Sequence, residues 1–371
     1  MAEVARQLSE RLAGMGHTVT VATGAHPDRR ENSLNGVNIF SFAITGNAVN
    51  GYTGNTAAYE QFLQAGNYDI ITCFAAQQWA TDLALPLLEK LKGKKVFVPT
   101  GFSYLHNPAY KDYYEKMKLW MQRFDANVFL SDSYQDIDFA RRNSITRNRR
   151  ITNAAAEEEF DKPAQTDIRK TFGIDKNKFL VLHIGSFTGA KGQPEAIKIF
   201  LKANIPNSVL LLSGHNNAQL NKLLNSHPRF AALKLQSLLK GKRIIVTELD
   251  RQETVDAYKT ADLFLFPSNI ECSPIVLFEC MAAGIPFLSS EVGNAAEIAK
   301  WGGNGIILPT EKDNIGWSKT LIDESAQVLK QMAANRQQLK NMGEQGHAAW
   351  KKQFTWQKIA AQYEKLYQDL Q

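Results

Sequence analysis

The chain has 371 residues, of which 44% are hydrophobic and 22% charged, the balance of an ordinary globular protein. Single cores stop growing at roughly 250–300 residues, so two domains are expected. Three isolated cysteines, Cys73, Cys272 and Cys280, exclude a disulfide framework and point to a reducing compartment, and the formal net charge of +6 comes without a nucleic-acid motif.

Residues 2–13 place Val4, Leu8 and Leu12 on one helical face, and Gly14 and Gly16 end that helix. Strands follow over 17–22 and near Val37–Phe42, then a polar Gly/Asn-rich loop over 45–55 and a helix near 57–64. Tyr68 to Cys73 reads as a strand, a helix then runs to about Lys92, and Lys95 to Pro99 is the next strand. Thr100, Gly101, Phe102 and His106 fall at that strand's carboxyl end, where open α/β sheets place ligands. Tyr104, Tyr110, Tyr113 and Tyr114 suit either stacking on a ligand or a place in the core.

Asp136-Ile137-Asp138 is a D-x-D triplet inside a helical stretch, 134–142, where residues two apart point to different faces. No nearby acid or histidine completes a hard-cation site, so no metal is expected. Arg141, Arg142, Arg147, Arg149 and Arg150 form a basic cluster before a strand at 150–152. Anionic lipid headgroups, anionic acceptors or plain solvation account for such a surface. Nucleic acid is not expected as a partner. No apolar run reaches membrane-spanning length and no signal peptide opens the sequence. The expected location is cytoplasmic, with peripheral contact at an anionic membrane left open. Domain boundaries are expected to give 1–155 and 156–354, with the amphipathic stretch 355–371 as a final helix.

In the second half, Phe179 to Ile184 reads as a strand and leads into Gly185-Ser186-Phe187-Thr188-Gly189-Ala190-Lys191-Gly192. A glycine-rich turn between strand and helix offers backbone N–H groups to phosphate. It is neither a Walker loop nor G-x-G-x-x-G. Ser208 to Ser213 and Arg243 to Val246 are further strands, ending near Gly214 and near Leu249. Strands near Ala261, Ile285 and Gly305 alternate with helices, which implies a parallel α/β sheet. From Lys312 onward the chain reads as helix.

The chemistry concentrates after the strand ending at Phe266. Ser273 suits an N-cap, Pro274 the first helical position, and Gly284 with Pro286 the stop. Glu279 is the only charged residue from Pro274 to Ala283. Left unpaired there, a carboxylate would cost roughly several kcal/mol, so it needs a donor from the protein or from a ligand hydroxyl. Glu271 lies in the preceding loop and reads either as solvated or as facing the same cleft.

The Glu271-x7-Glu279 spacing is flanked by Pro267-Ser268 and by Met281-Ala-Ala-Gly284-Ile-Pro286. Glu291-Val-Gly293-Asn294-Ala-Ala-Glu297 continues the pattern. Together these residues closely resemble the nucleotide-sugar site of retaining family-4 glycosyltransferases, and the resemblance covers nearly the whole chain. It implies the α/β fold called GT-B, two Rossmann-like doubly wound domains facing across a cleft, with the last helix returning to the first domain. It implies a nucleoside diphosphate sugar bound by Gly185, Ser186, Lys191, Gly214, Leu249, Ser273, Pro274, Ile275, Val276 and Glu279. Glu271 and Lys191 are then the catalytic residues. A glycan or lipid-linked acceptor is expected near Thr100, Gly101, Phe102 and His106, with no cofactor.

The sequence departs from the pattern at Ser186 (usually Arg), Thr100 (often His) and Ala154 (commonly Gly). The first parallel strand and its glycine-rich turn, expected before residue 2, are missing, which suggests an incomplete chain. A binding protein without efficient transfer and a sugar-nucleotide epimerase remain alternatives.

Overall fold

The structure is a computed structural model and describes residues 2–215, 241–314 and 316–371. It divides into two compact units, Met1–Asn153 with Trp356–Gln371, and Ala154–Thr355.

Unit 1 opens with helix Ala2–Gly14, which buries Val4, Leu8 and Leu12. Its first sheet holds β1 (Val19–Gly24), β2 (Ser33–Leu34) and β3 (Val37–Phe42), in the order β1-β3-β2. The expected loop over 45–55 is instead a small antiparallel hairpin, β4 (Thr45–Asn47) and β5 (Gly51–Thr53). Gly46 and Gly51 supply positive φ angles of 93° and 80° that such a tight hairpin needs. A second sheet is all parallel: β6 (Ile70–Phe74), β7 (Lys94–Val98), β8 (Ala126–Phe129) and β9 (Asn148–Arg150). The parallel strands of unit 1 therefore form two sheets.

Helix Trp79–Ala84 is shorter than expected, because Pro86 follows in a 3-10 turn over Leu85–Leu87. β9 begins two residues before its expected start. Tyr110, Tyr113 and Tyr114 are buried with Phe97, Phe102, Met117 and Phe124, while Tyr104 is exposed and stacks on Tyr110. Helix Trp356–Leu370 belongs to this unit. It buries Trp356, Ile359, Tyr363 and Leu366, and its Tyr367 hydroxyl lies 2.8 Å from Thr72 Oγ1.

Unit 2 is a six-stranded parallel sheet. Its strands are β10 (Phe179–Ile184), β11 (Ser208–Ser213), β12 (Arg243–Thr247), β13 (Leu263–Phe266), β14 (Phe287–Ser289) and β15 (Gly305–Ile307). The order β12-β11-β10-β13-β14-β15 reverses between β10 and β13. The central strands β10, β11 and β13 are buried along nearly their whole length, as strands covered on both faces must be. Ala154 is buried without a positive φ, so the turn there carries no left-handed strain.

Lys312 does not start a helical run. β16 (Thr310–Lys312) and β17 (Ser318–Thr320) form an antiparallel hairpin, and helices Ile322–Ala334 and Arg336–Gln353 come after it. The hairpin is held by Lys312 Nζ and Ser318 Oγ, which both donate to the Glu291 carbonyl. Among the described residues no helix is long and apolar enough to cross a membrane.

Candidate functional site

The strand order reverses between β10 and β13, and the carboxyl ends at such a reversal are the usual ligand position in open α/β sheets. Two loops rise there, 185–192 after β10 and 267–274 after β13. They are fastened together. Asn269 N–H donates to the Ala190 carbonyl at 2.9 Å, and Ser268 Oγ lies 3.2 Å from the same oxygen. Gly192 has φ 74°, and a Cβ there would stand 1.9 Å from the Pro267 carbonyl oxygen. Only glycine permits that approach. Gln193 Nε2 donates to the Gly185 and Ser186 carbonyls at 3.0 and 3.1 Å. The sequence reading missed this buried Gln193, which begins helix Gln193–Ala203.

These contacts bring Lys191 and Glu271 together. Lys191 Nζ lies 2.6 Å from Glu271 Oε1, and Ser268 Oγ donates to the same oxygen at 3.0 Å. The side chains are 29% and 13% exposed, so the pair is partly shielded yet reachable. Glu271 is therefore ion-paired rather than simply solvated.

Helix Ile275–Ala283 starts one residue later than expected: Pro274 is its N-cap, and no side chain caps it. The first N–H groups of a helix lack partners within the helix, and its dipole adds positive potential there. Glu279 sits about one turn on, with its side chain 6% exposed. Its donor is Arg251, whose Nη1 lies 2.7 Å from Glu279 Oε1. Arg251 Nε also donates to Glu159 at 3.1 Å. Burial works against the guanidinium's charge, but Glu279 and Glu159 outweigh it and raise the Arg251 pKa. Burial first, then Glu279, pushes the Tyr258 phenol well above its ordinary value. The sequence showed that Glu279 needed a donor. Arg251 was missed because its helix, Arg251–Thr260, meets Glu279 only through the tertiary fold.

Gly214 and Leu249 lie at the same edge. Gly214 N–H donates to the Thr247 carbonyl at 3.2 Å, and Leu249 N–H to Ser213 Oγ at 3.0 Å. A Cβ on Gly214 would meet the Gly185 carbonyl oxygen at 2.0 Å. A second missed residue is His183, fully buried in β10 and stacked on Phe264 and Phe266. Its Nδ1 pairs with the Leu265 carbonyl at 2.8 Å, and its Nε2 has no partner. Its signal was a histidine inside an apolar strand.

In unit 1 the other predicted residues sit at the carboxyl end of β7. Thr100, Gly101 and Phe102 are three consecutive left-handed residues, with φ of 56°, 109° and 53°. Ala75 and Gln77, just after β6, are left-handed too. Non-glycine residues in this region store strain, which clusters at functional sites. The Phe102 side chain is 1% exposed and packs on Phe97, Tyr114 and Phe139, so only its backbone can face a ligand. Gln135 Nε2 donates to the Gly101 and Phe102 carbonyls at 2.7 and 2.9 Å. Gln77 N–H donates to Asp82 and to the Tyr113 hydroxyl, which itself donates to Asp82 at 2.7 Å. Burial raises the Asp82 pKa, while its hydrogen bonds from Ala48, Tyr113 and Gln77 oppose the shift. His106 is exposed.

The D-x-D triplet splits. Asp136 is buried, and burial above all pushes its carboxyl up to about 6; Asp138 is partly exposed and pairs with Arg141. Among the described residues no three His, Cys, Asp or Glu side chains gather as metal ligands.

Comparison with solved structures defines the class. The chain has the GT-B glycosyltransferase fold. It is similar to a sucrose-phosphate synthase from Thermosynechococcus elongatus at TM-score 0.76 and 19% identity, covering 99% of this chain and 92% of that one. It is also similar to the Anabaena protein Alr3699/HepE, solved in complex with UDP, at TM-score 0.71 and 17% identity, covering 99% and 95%. Residues 164–348 match the family description Glycosyl transferases group 1, and the chain carries a domain of that family. Among curated relatives, N-acetyl-alpha-D-glucosaminyl L-malate synthase of Bacillus anthracis is 28% identical over 223 residues, 59% of this chain. The match spans 53% of that relative's length, about half.

Proposed function

We propose that the protein transfers a sugar from a nucleoside diphosphate sugar to a glycan or lipid-linked acceptor, with retained anomeric configuration and without a metal ion. The observation that carries this reading is the 2.6 Å contact between Lys191 and Glu271 across two loops at the sheet's switch point. A cation and a carboxylate from separate loops share one crevice there, beside the open start of helix Ile275–Ala283.

Lys191 and that helix start face the diphosphate. As the glycosidic bond breaks, negative charge grows on the leaving phosphate, and preorganised positive groups stabilise it. Glu271 accepts hydroxyls of the donor sugar. Glu279, oriented by Arg251, accepts the ribose hydroxyls. Glu271 is engaged by Lys191 and Ser268, which argues against a covalent nucleophile and favours attack from the leaving-group face. The charge of Lys191 and the split of Asp136 from Asp138 support a metal-free reaction; EDTA should leave the rate unchanged. The UDP complex of the Anabaena protein makes uridine donors the first to try.

The test is donor hydrolysis and transfer across UDP-, GDP- and ADP-sugars. With the active donor, Lys191→Ala and Glu271→Ala should each lower kcat/KM by about 100-fold or more, with unchanged unfolding midpoints. Wild-type rates in both variants would overturn the assignment. Binding without efficient transfer is the second reading. It is favoured by Ser186, which leaves Lys191 as the only basic residue from Gly185 to Gly192. Calorimetry showing sugar-nucleotide binding with no turnover would select it.

A further inference from the structure

On unit 1 a cavity of about 270 Å³ is lined by Leu105, His106, Gln135, Asp138, Phe139, Arg142 and Asn143. That is somewhat below the usual range for a whole drug-sized ligand, and suits one end of a molecule. Resting on the reading of unit 1 as the acceptor half, we propose that this cavity takes an anionic group, a phosphate or carboxylate carried by the acceptor.

Position is the first argument. Gln135 lines the cavity and its amide also holds the Gly101 and Phe102 carbonyls. The cavity thus adjoins Thr100, Gly101 and Phe102, the one run of three consecutive positive-φ residues among the described residues. A group bound there is tied to the segment that the acceptor must approach.

Charge is the second. Three ionisable side chains line the cavity: Asp138, Arg142 and His106. Asp138 is already compensated, with Arg141 Nη1 3.3 Å away. Arg142 is exposed and has no ion pair among the described residues, and His106 has no hydrogen bond among them. What remains is an uncompensated guanidinium beside an imidazole, over the apolar surface of Leu105 and Phe139. A guanidinium fork matches the paired oxygens of phosphate or carboxylate. A neutral sugar alone would leave this charge unanswered.

The experiment uses the full chain with histidine-labelled rings, the His106 signal being assigned through His106→Gln. Glucose 6-phosphate and malonate are titrated against neutral glucose. Both anions should shift the His106 signal saturably, and glucose should not. Arg142→Ala should weaken anion binding by about tenfold or more, Asp138→Asn should strengthen it, and Arg149→Ala should change it little. Equal responses to glucose and the anions, no response to either, or equal losses in Arg142→Ala and Arg149→Ala would overturn the proposal. So would a response to phosphatidylglycerol vesicles without one to soluble anions. UDP calorimetry on the same sample separates the two readings. UDP binding without anion binding sinks only this inference, and anion binding without UDP binding sinks only the donor assignment.

Discussion

At the scale of single residues, His183 carries a charge that the fold refuses. Burial above all, with help from the Lys191 charge, pushes its imidazole down to about 4, against an ordinary 6.5. The unfolded chain therefore binds a proton that the folded chain does not between those two values. Stability is fully present above pH 6.5 and falls as pH drops toward 4, by about 3 kcal/mol for this group. His183→Leu should remove that part of the acid sensitivity, checked by urea unfolding at pH 7 and pH 4.5. Equal pH slopes in the two proteins would refute it. The sequence made part of this scale legible. Glu279 was readable as a carboxylate in need of a donor, because its neighbours are apolar and local. Arg251 was not readable, because pairing between distant helices leaves no periodic trace. Phe102 was readable as a position at a strand's end, but not as a core side chain, since φ decides which way it points.

At the scale of elements, strands and helices with strong periodicity stand where the sequence put them, as β3, β10 and β11 do. Beyond shifted or shortened ends, the misread pieces are short hairpins. β4–β5 and β16–β17 have three residues a side, too few for an alternation to register, and a two-stranded hairpin needs contacts elsewhere for its stability. β16–β17 is joined to the Glu271 loop through Asn269, whose Nδ2 donates to the Ser318 carbonyl while Ser318 N–H donates back to the Asn269 carbonyl. The approach of the loops 185–192 and 267–274 rests on Gly192. In Gly192→Ala the new methyl would collide with the Pro267 carbonyl and the residue would hold a strained φ. Transfer should drop by more than about tenfold while stability falls by roughly 1–3 kcal/mol. Donor titration and thermal melting measure the two. An unchanged KM and rate would show that the loops do not need that closeness.

At the scale of the whole molecule, the sequence order and the spatial order differ. Helix Trp356–Leu370 follows unit 2 in the chain but is part of unit 1. Removing residues 356–371 from the full chain should loosen unit 1, because five side chains buried by that helix go with it. Hydrogen exchange should show lost protection in β6 and β7 with β10, β11 and β13 unchanged. Retained protection throughout would mean the helix is dispensable.

The same arrangement sets a timetable on the ribosome. Unit 2 is complete once Thr355 has emerged, whereas unit 1, begun first, waits for residues 356–371. The half translated later is thus free to fold earlier, and the half translated earlier stays unfinished until residues 356–371 emerge.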